Sequence, residues 1–183
     1  MTIQASAVVK GTLYWPFMGK HNPMKPGKFT VDLGDLSKEA VKTLKEIGLA
    51  HRVKVDAPRD GYREENGKYV SDEEGKTDKP MRGSYIVLQS GFKPTVVDNF
   101  KHEVDADVVG NGTIANVIVN AYDWTFKGTK GVSGGFNAVQ VTDLVEFRGG
   151  GSGPASLDQF NFETPDESPF GSEEDADDDV DFE

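Results

Sequence analysis

The chain has 183 residues, 20 Lys and Arg against 31 Asp and Glu for a formal net charge of −11, and no cysteine. The length suits one domain of about 150 residues with a real core plus an appended segment. The missing thiols exclude disulfides, thiolate metal sites and cysteine nucleophiles, and fit a reducing compartment.

Residues 3 to 13 open the chain with Ile3, Ala5, Ala7, Val9 and Leu13 on one parity and Gln4, Ser6 and Lys10 on the other, the pattern of a half-buried strand. Met1-Thr2-Ile3-Gln4 lacks the basic and apolar regions of a signal peptide, and no apolar run approaches membrane length, which reads as a soluble intracellular protein with no membrane partner. Tyr14-Trp15-Pro16-Phe17 follows, then a loop through Lys20, His21, Asn22, Pro23, Lys25, Pro26, Gly27 and Lys28. A core would not want those lysines, and a solvated loop would not want those aromatics.

Phe29, Val31 and Leu33 alternate as a second strand. Ser37 then has the place of an N-cap, with Leu36 and Val41 spaced as a hydrophobic staple. Ala40, Val41, Leu44 and Ile47 form one face of a short amphipathic helix that Gly48 ends. From His51 to Met81 the chain is polar and rich in turn signals, an excursion from the body in which Asn66-Gly67 closes a small hairpin. Strand character returns at Ser84 to Gln89 and at Pro94 to Val97.

Ile114 to Phe126 is the longest alternation. Ala115, Val117, Val119 and Ala121 make a small aliphatic row suited to the inside of a barrel; Asn116, Ile118, Asn120, Tyr122, Trp124 and Phe126 make an outer row suited to something flat. Lys127 to Gly135 reads as a mobile basic loop, after which Phe136 to Phe147 returns as a strand with Val139, Val141, Val145 and Phe147 inward. Asn111-Gly112-Thr113 is formally a glycosylation sequon and reads as a turn. One helix among six or more short strands points to a mainly β fold, a five-stranded OB-type barrel with the helix after the second strand.

The domain is expected to span 1–148, a Gly-rich linker 149–155 to follow, and 156–183 to form an acidic tail. From Asp158 onward there are twelve acids and no Lys or Arg, so the part before it has 20 bases and 19 acids, a net of +1. Such a like-charged block cannot bury enough surface to order itself and is expected to be disordered. Phe160, Phe162, Phe170 and Phe182 interrupt it, which solubility alone would not ask for.

No phosphate-binding GxxxxGK[ST] loop, GxSxG elbow or SxxK pair occurs, and His21, His51 and His102 share no metal spacing. The reading is a binding protein, not an enzyme, with no cofactor and no metal.

The order of features resembles the single-stranded DNA-binding proteins of short-tailed bacteriophages. The match is carried by Val108-Val109-Gly110-Asn111-Gly112, the strand with Tyr122-Asp123-Trp124, Gly131-Val132-Ser133-Gly134, and Val145-Glu146-Phe147 before Gly149-Gly150-Gly151. Gly27 to Leu33 running into the Ser37 helix follows the same layout, and residues 51–81 do not match. The resemblance implies an OB-fold and coating of single strands in phage replication, recombination and repair, in the cytoplasm of the infected host. It also implies a tail that contacts the phage polymerase and helicase. Asp177-Asp178-Asp179-Val180-Asp181-Phe182 is similar to the tails of bacterial single-strand binders, in which the phenylalanine is terminal; here Glu183 lies beyond it.

Single-strand binding needs rings on which bases stack and cations that track phosphates. The candidate stackers are Tyr14, Trp15, Phe17, Tyr122 and Trp124, with Phe92 and Phe126 behind them; the phosphate candidates are Lys10, Lys20, Lys25, Lys28, Arg82, Lys93, Lys127 and Lys130. Any one ring fits core packing as well as stacking, and any one lysine fits plain surface. Asp177, Asp178, Asp179, Asp181 and Phe182 are the candidate partner-binding residues of the tail, which would compete with DNA for its own domain; docking on a second protomer would make a homodimer. The rival reading is a structural or assembly module whose tail recruits a basic partner.

Overall fold

The computed structural model describes residues 2–147, so the expectations for the linker and tail lie outside the described residues. Those residues form ten strands and one α-helix: β1 (Thr2–Phe17), β2 (Phe29–Gly34), α1 (Lys38–Glu46), β3 (Lys54–Val55), β4 (Tyr62–Glu65), β5 (Lys68–Ser71), β6 (Lys79–Pro80), β7 (Ser84–Ser90), β8 (Thr95–Val97), β9 (Thr113–Phe126) and β10 (Thr129–Asp143). Seven strands share one sheet in the order β3-β7-β2-β1-β9-β10-β8, and β4-β5-β6 form a separate small sheet.

Strand β1 is shared by two partners. It pairs with β9 from Thr2↔Asp123 to Leu13↔Thr113, and with β2 from Thr12↔Gly34 to Phe17↔Thr30. Alternation delivers the expected core: Val9, Leu13, Val31, Leu33, Ala115, Val117, Val119 and Ala121 are all buried, together with Phe136 and Val139 from β10. Ile3 departs from the expected inward row and is 58 % exposed, because the register shifts between Ile3 and Ala5.

Helix α1 begins where the side chain of Ser37 accepts a hydrogen bond from the Ala40 N–H (3.1 Å), one of the donors a helix start leaves orphaned. Its apolar face buries Ala40 and Leu44, with Val41 and Ile47 packed at the margin. No helix among the described residues is long and apolar enough to cross a membrane.

The fold is mainly β and OB-like, but in place of the expected five-stranded OB-type barrel stands an open seven-stranded sheet. The extra strands are β3 and β8, which lengthen its two edges. The sheet still curls. A side chain added at Gly134 of β10 would stand 2.9 Å from Leu88 Cδ2 of β7, and one at Gly135 would stand 3.2 Å from the Gln89 carbonyl oxygen. Further along β10, the Arg52 guanidinium donates to the Val132 carbonyl (3.0 Å) and to Ser133 Oγ (2.7 Å), tying the segment after α1 to that strand.

Two further expectations change. Lys127 to Gly135 is not a loop: β9 and β10 run straight through it, paired from Thr129↔Phe126 onward, and only Lys127 and Gly128 turn, with φ of 49° and 81°. That is the conformation of a two-residue hairpin turn. Strand β10 then ends at Asp143, and Val145 and Phe147 are 44 % and 58 % exposed. They leave the sheet because the chain there pairs instead with residues 108–110, through the bridge Val109↔Glu146. The Asn66-Gly67 hairpin forms as expected between β4 and β5.

Candidate nucleic-acid interface

The β9–β10 hairpin builds one aromatic surface. Tyr122 and Trp124 project from the outer parity of β9, opposite Ser133 and Gly131. A methyl at Gly131 would stand 2.6 Å from Trp124 Cε2, and one at Gly135 would stand 3.1 Å from Tyr122 Cε1. The glycines that resemble a flexible loop are therefore seats that let two rings lie flat on the strand beside them. Both rings are half-buried, and Phe126 beyond them is 65 % exposed. Lys127 and Lys130 are exposed at the same tip, with Lys127 Nζ 5.4 Å from the Phe126 ring centroid.

A second group gathers where β1 ends. The register shifts between Tyr14 and Phe17, and Trp15 takes φ of 45°, a value a bulky residue adopts only where its surroundings hold it. Its N–H donates to Asn111 Oδ1 (2.5 Å). A cleft of about 500 Å³ is lined by Trp15, Pro16, Phe17 and Lys20 from the end of β1 and the residues after it, and by Asp107, Val109, Gly110, Asn111, Val145, Glu146 and Phe147. In a third group, Lys28 Nζ lies 3.8 Å from the place a Cβ would take on Gly91, the residue before Phe92 (86 % exposed) and the exposed Lys93. Lys25 is exposed on the loop between β1 and β2, and Lys10 stands apart on the outer face of β1, opposite Asn116.

Two candidates are withdrawn. Tyr14 is buried, and its hydroxyl donates to Asp35 Oδ2 (2.6 Å); burial and that bond push its pKa far above the ordinary phenol value. Arg82 is also buried. Its guanidinium donates to both oxygens of Asp56 (2.7 and 3.1 Å) and to Asp32 Oδ2 (2.6 Å), and its backbone N–H donates to Asp56 as well (3.0 Å). Burial opposes its charge, but the two carboxylates outweigh it and hold its pKa above the usual range. Three of the guanidinium's five N–H donors go to carboxylates, and burial takes the charge away from any phosphate at the surface. The acids differ: burial raises the pKa of Asp32, whereas at Asp56 the hydrogen bonds from Arg82 overcome burial and lower it.

Arg82 instead organises rings. Its guanidinium carbon lies 3.7 Å from the centroid of Tyr85 and 5.3 Å from that of Trp15, within cation–π range of both. Tyr85 is absent from the sequence candidates, although its alternation with the buried Ile86 and Leu88 puts it on the outer face. Phe147, expected in the core, and Asn111, expected only to turn the chain, both line the cleft. The signal for both is the pairing of the 108–112 and 145–147 motifs, which no local pattern carries.

No family model matches the sequence, and no curated protein matches it. Among solved structures, the single-stranded DNA-binding protein from bacteriophage Enc34 in complex with ssDNA aligns with a TM-score of 0.51 at 15 % identity, over 78 % of this chain and 89 % of that one. A further structure of the Enc34 protein gives 0.45 at 16 % identity, over 82 % and 88 %. The single-stranded DNA-binding protein gp2.5 of bacteriophage T7 gives 0.43 at 14 % identity, over 78 % and 93 %. The resemblance read from the sequence is thus met at the level of architecture: this chain has the fold of the Enc34 single-stranded DNA-binding protein.

Proposed function

We propose that this chain is a non-enzymatic, sequence-independent single-stranded DNA-binding protein acting in phage replication, recombination and repair within the infected host cell. The observation that carries the reading is the β9–β10 hairpin, where Tyr122 and Trp124 lie seated on glycines beside Lys127 and Lys130, in a fold shared with a protein solved on single-stranded DNA. Rings with one face open to solvent stack on any base, at roughly 1–3 kcal/mol each, and lysines follow the phosphates without reading sequence.

The reading extends to the tail. Residues 156–183, with twelve acids and four phenylalanines, compete with DNA for the lysine-bearing surface when no strand is bound, then contact polymerase and helicase once displaced. A tethered segment acts at an effective concentration in the millimolar range, so weak docking suffices. DNA wins because phosphates, stacked bases and counterion release act together. Docking on a second protomer would give tail-dependent dimers.

The test is a fluorescence anisotropy titration of labelled oligo-dT and of duplex DNA across a range of salt. Salt-sensitive, length-dependent preference for the single strand supports the proposal. Equal indifference to both would overturn it and leave the assembly-module reading standing.

A further inference from the structure

The cleft beside Trp15 is built by the two stretches the hairpin does not use, 108–112 and 145–147. They are tied by backbone: the Gly110 N–H donates to the Val145 carbonyl (2.7 Å), and the Phe147 N–H to the Val108 carbonyl (2.7 Å). Gly110 is required there, since a Cβ would stand 2.9 Å from both Val145 O and Phe147 N. Those bonds hold 108–110 and 145–147 together, and the same stretch reaches β1 through Asn111, which accepts from the Trp15 N–H, and through the Gly112 N–H, which donates to the Leu13 carbonyl (2.9 Å); Arg82 lies near the Trp15 ring.

We propose that this cleft is a nucleobase pocket, in which one base of a bound single strand inserts among Trp15, Phe17 and Phe147. The inference rests on the single-strand-binding reading and names a subsite of it. Volume and lining agree: about 500 Å³ lies within the range of small-ligand sites, and three aromatic side chains supply the stacking faces. Charge selects the occupant. Asp107 and Glu146 in the lining repel phosphate, so the heterocycle enters and the sugar-phosphate chain stays outside, leaving the exposed Lys20 of the same lining as its cation. The same two acids disfavour the acidic tail, whose phenylalanines are the competing occupant.

The pocket is tested in full-length protein carrying Trp124→Phe, which leaves Trp15 as the sole tryptophan of the two. Oligo-dT is the probe, with anisotropy for affinity and tryptophan emission for the pocket. Phe147→Ala, a change at a largely exposed side chain, is expected to weaken binding about tenfold. It should also shrink the quenching of Trp15 and leave the slope of log affinity against log salt unchanged, because every phosphate keeps its cation. Phe17→Ala should do the same, and Phe147→Tyr should restore binding. Unaltered affinity and quenching in Phe147→Ala overturn the pocket while oligo-dT still binds; absence of any oligo-dT binding by the unsubstituted protein would instead sink the function proposed above. A shift of Trp15 emission without DNA, on changing the four tail phenylalanines to Ala, would assign the cleft to the tail and also overturn the proposal.

Discussion

Gly131 is the residue on which the stacking surface turns. It has no conformational demand of its own, yet any side chain there collides with the Trp124 indole. Gly131→Ala should therefore lift the ring, red-shift or brighten its emission, and weaken oligo-dT binding severalfold, with little change in circular dichroism. Normal affinity would mean that Trp124 does not stack on bases. The acids around Arg82 bear on stability. Asp56 accepts three hydrogen bonds from that residue and Asp32 accepts one, and their side chains are only 7 % and 16 % exposed. Removing one partner of a buried pair leaves a charge uncompensated, so Asp56→Asn should cost about 3 kcal/mol in urea denaturation and Asp32→Asn clearly less. The pH dependence follows the same asymmetry. With a lowered folded pKa, Asp56 contributes stability above the ordinary carboxylate range that is lost as pH falls through its folded value. Asp32, with a raised folded pKa, opposes folding near neutrality and takes its proton first. The stability loss specific to the Asp56→Asn protein should accordingly fade when both proteins are compared at strongly acid pH.

Features of strands, turns and the helix that are set by near neighbours are legible in the sequence, and features set by distant ones are not. Ser37 is readable as a cap because its partner, Ala40, is three residues away, and Ser37→Ala should lower stability by about 1 kcal/mol in a denaturant titration. Asn66-Gly67 is readable as a turn, and the row from Ala115 to Ala121 as core, because each is a local pattern of residue type and parity. Tyr14 cannot be told from Trp15: only the fold decides that one donates to Asp35 from inside while the other opens onto a cleft. The lysine-and-glycine run after Phe126 has the composition of a loop, and nothing local says that rings from the neighbouring strand sit on Gly131 and Gly135. The lysines of that run and of the loop before β2 are legible as surface; Arg82 is not, since its two carboxylates come from 26 and 50 residues away.

For the whole molecule, charge is divided along the chain: a body of net +1 and a closing segment of twelve acids. That division makes a prediction separate from any single side chain. Removing residues 156–183 should raise affinity for oligo-dT, most of all at low salt where the tail's own attraction is least screened. Unchanged or weaker binding by the shortened chain would refute competition by the tail and leave the stacking surface untouched. Changing both Lys127 and Lys130 to Ala should in contrast reduce the salt slope by about 0.7 for each phosphate left without its cation.

The pairing of β1 with β9 has a bearing on how the chain comes to be made. Leu13 finds its partner at Thr113, a hundred positions later, so β1 waits for that much more of the chain to leave the ribosome before that flank is satisfied. Distant pairing of this kind closes slowly, in milliseconds to seconds. Until then an uncharged run from Thr2 to Val9 is available to other nascent copies, a hazard of synthesis that the finished protein no longer displays.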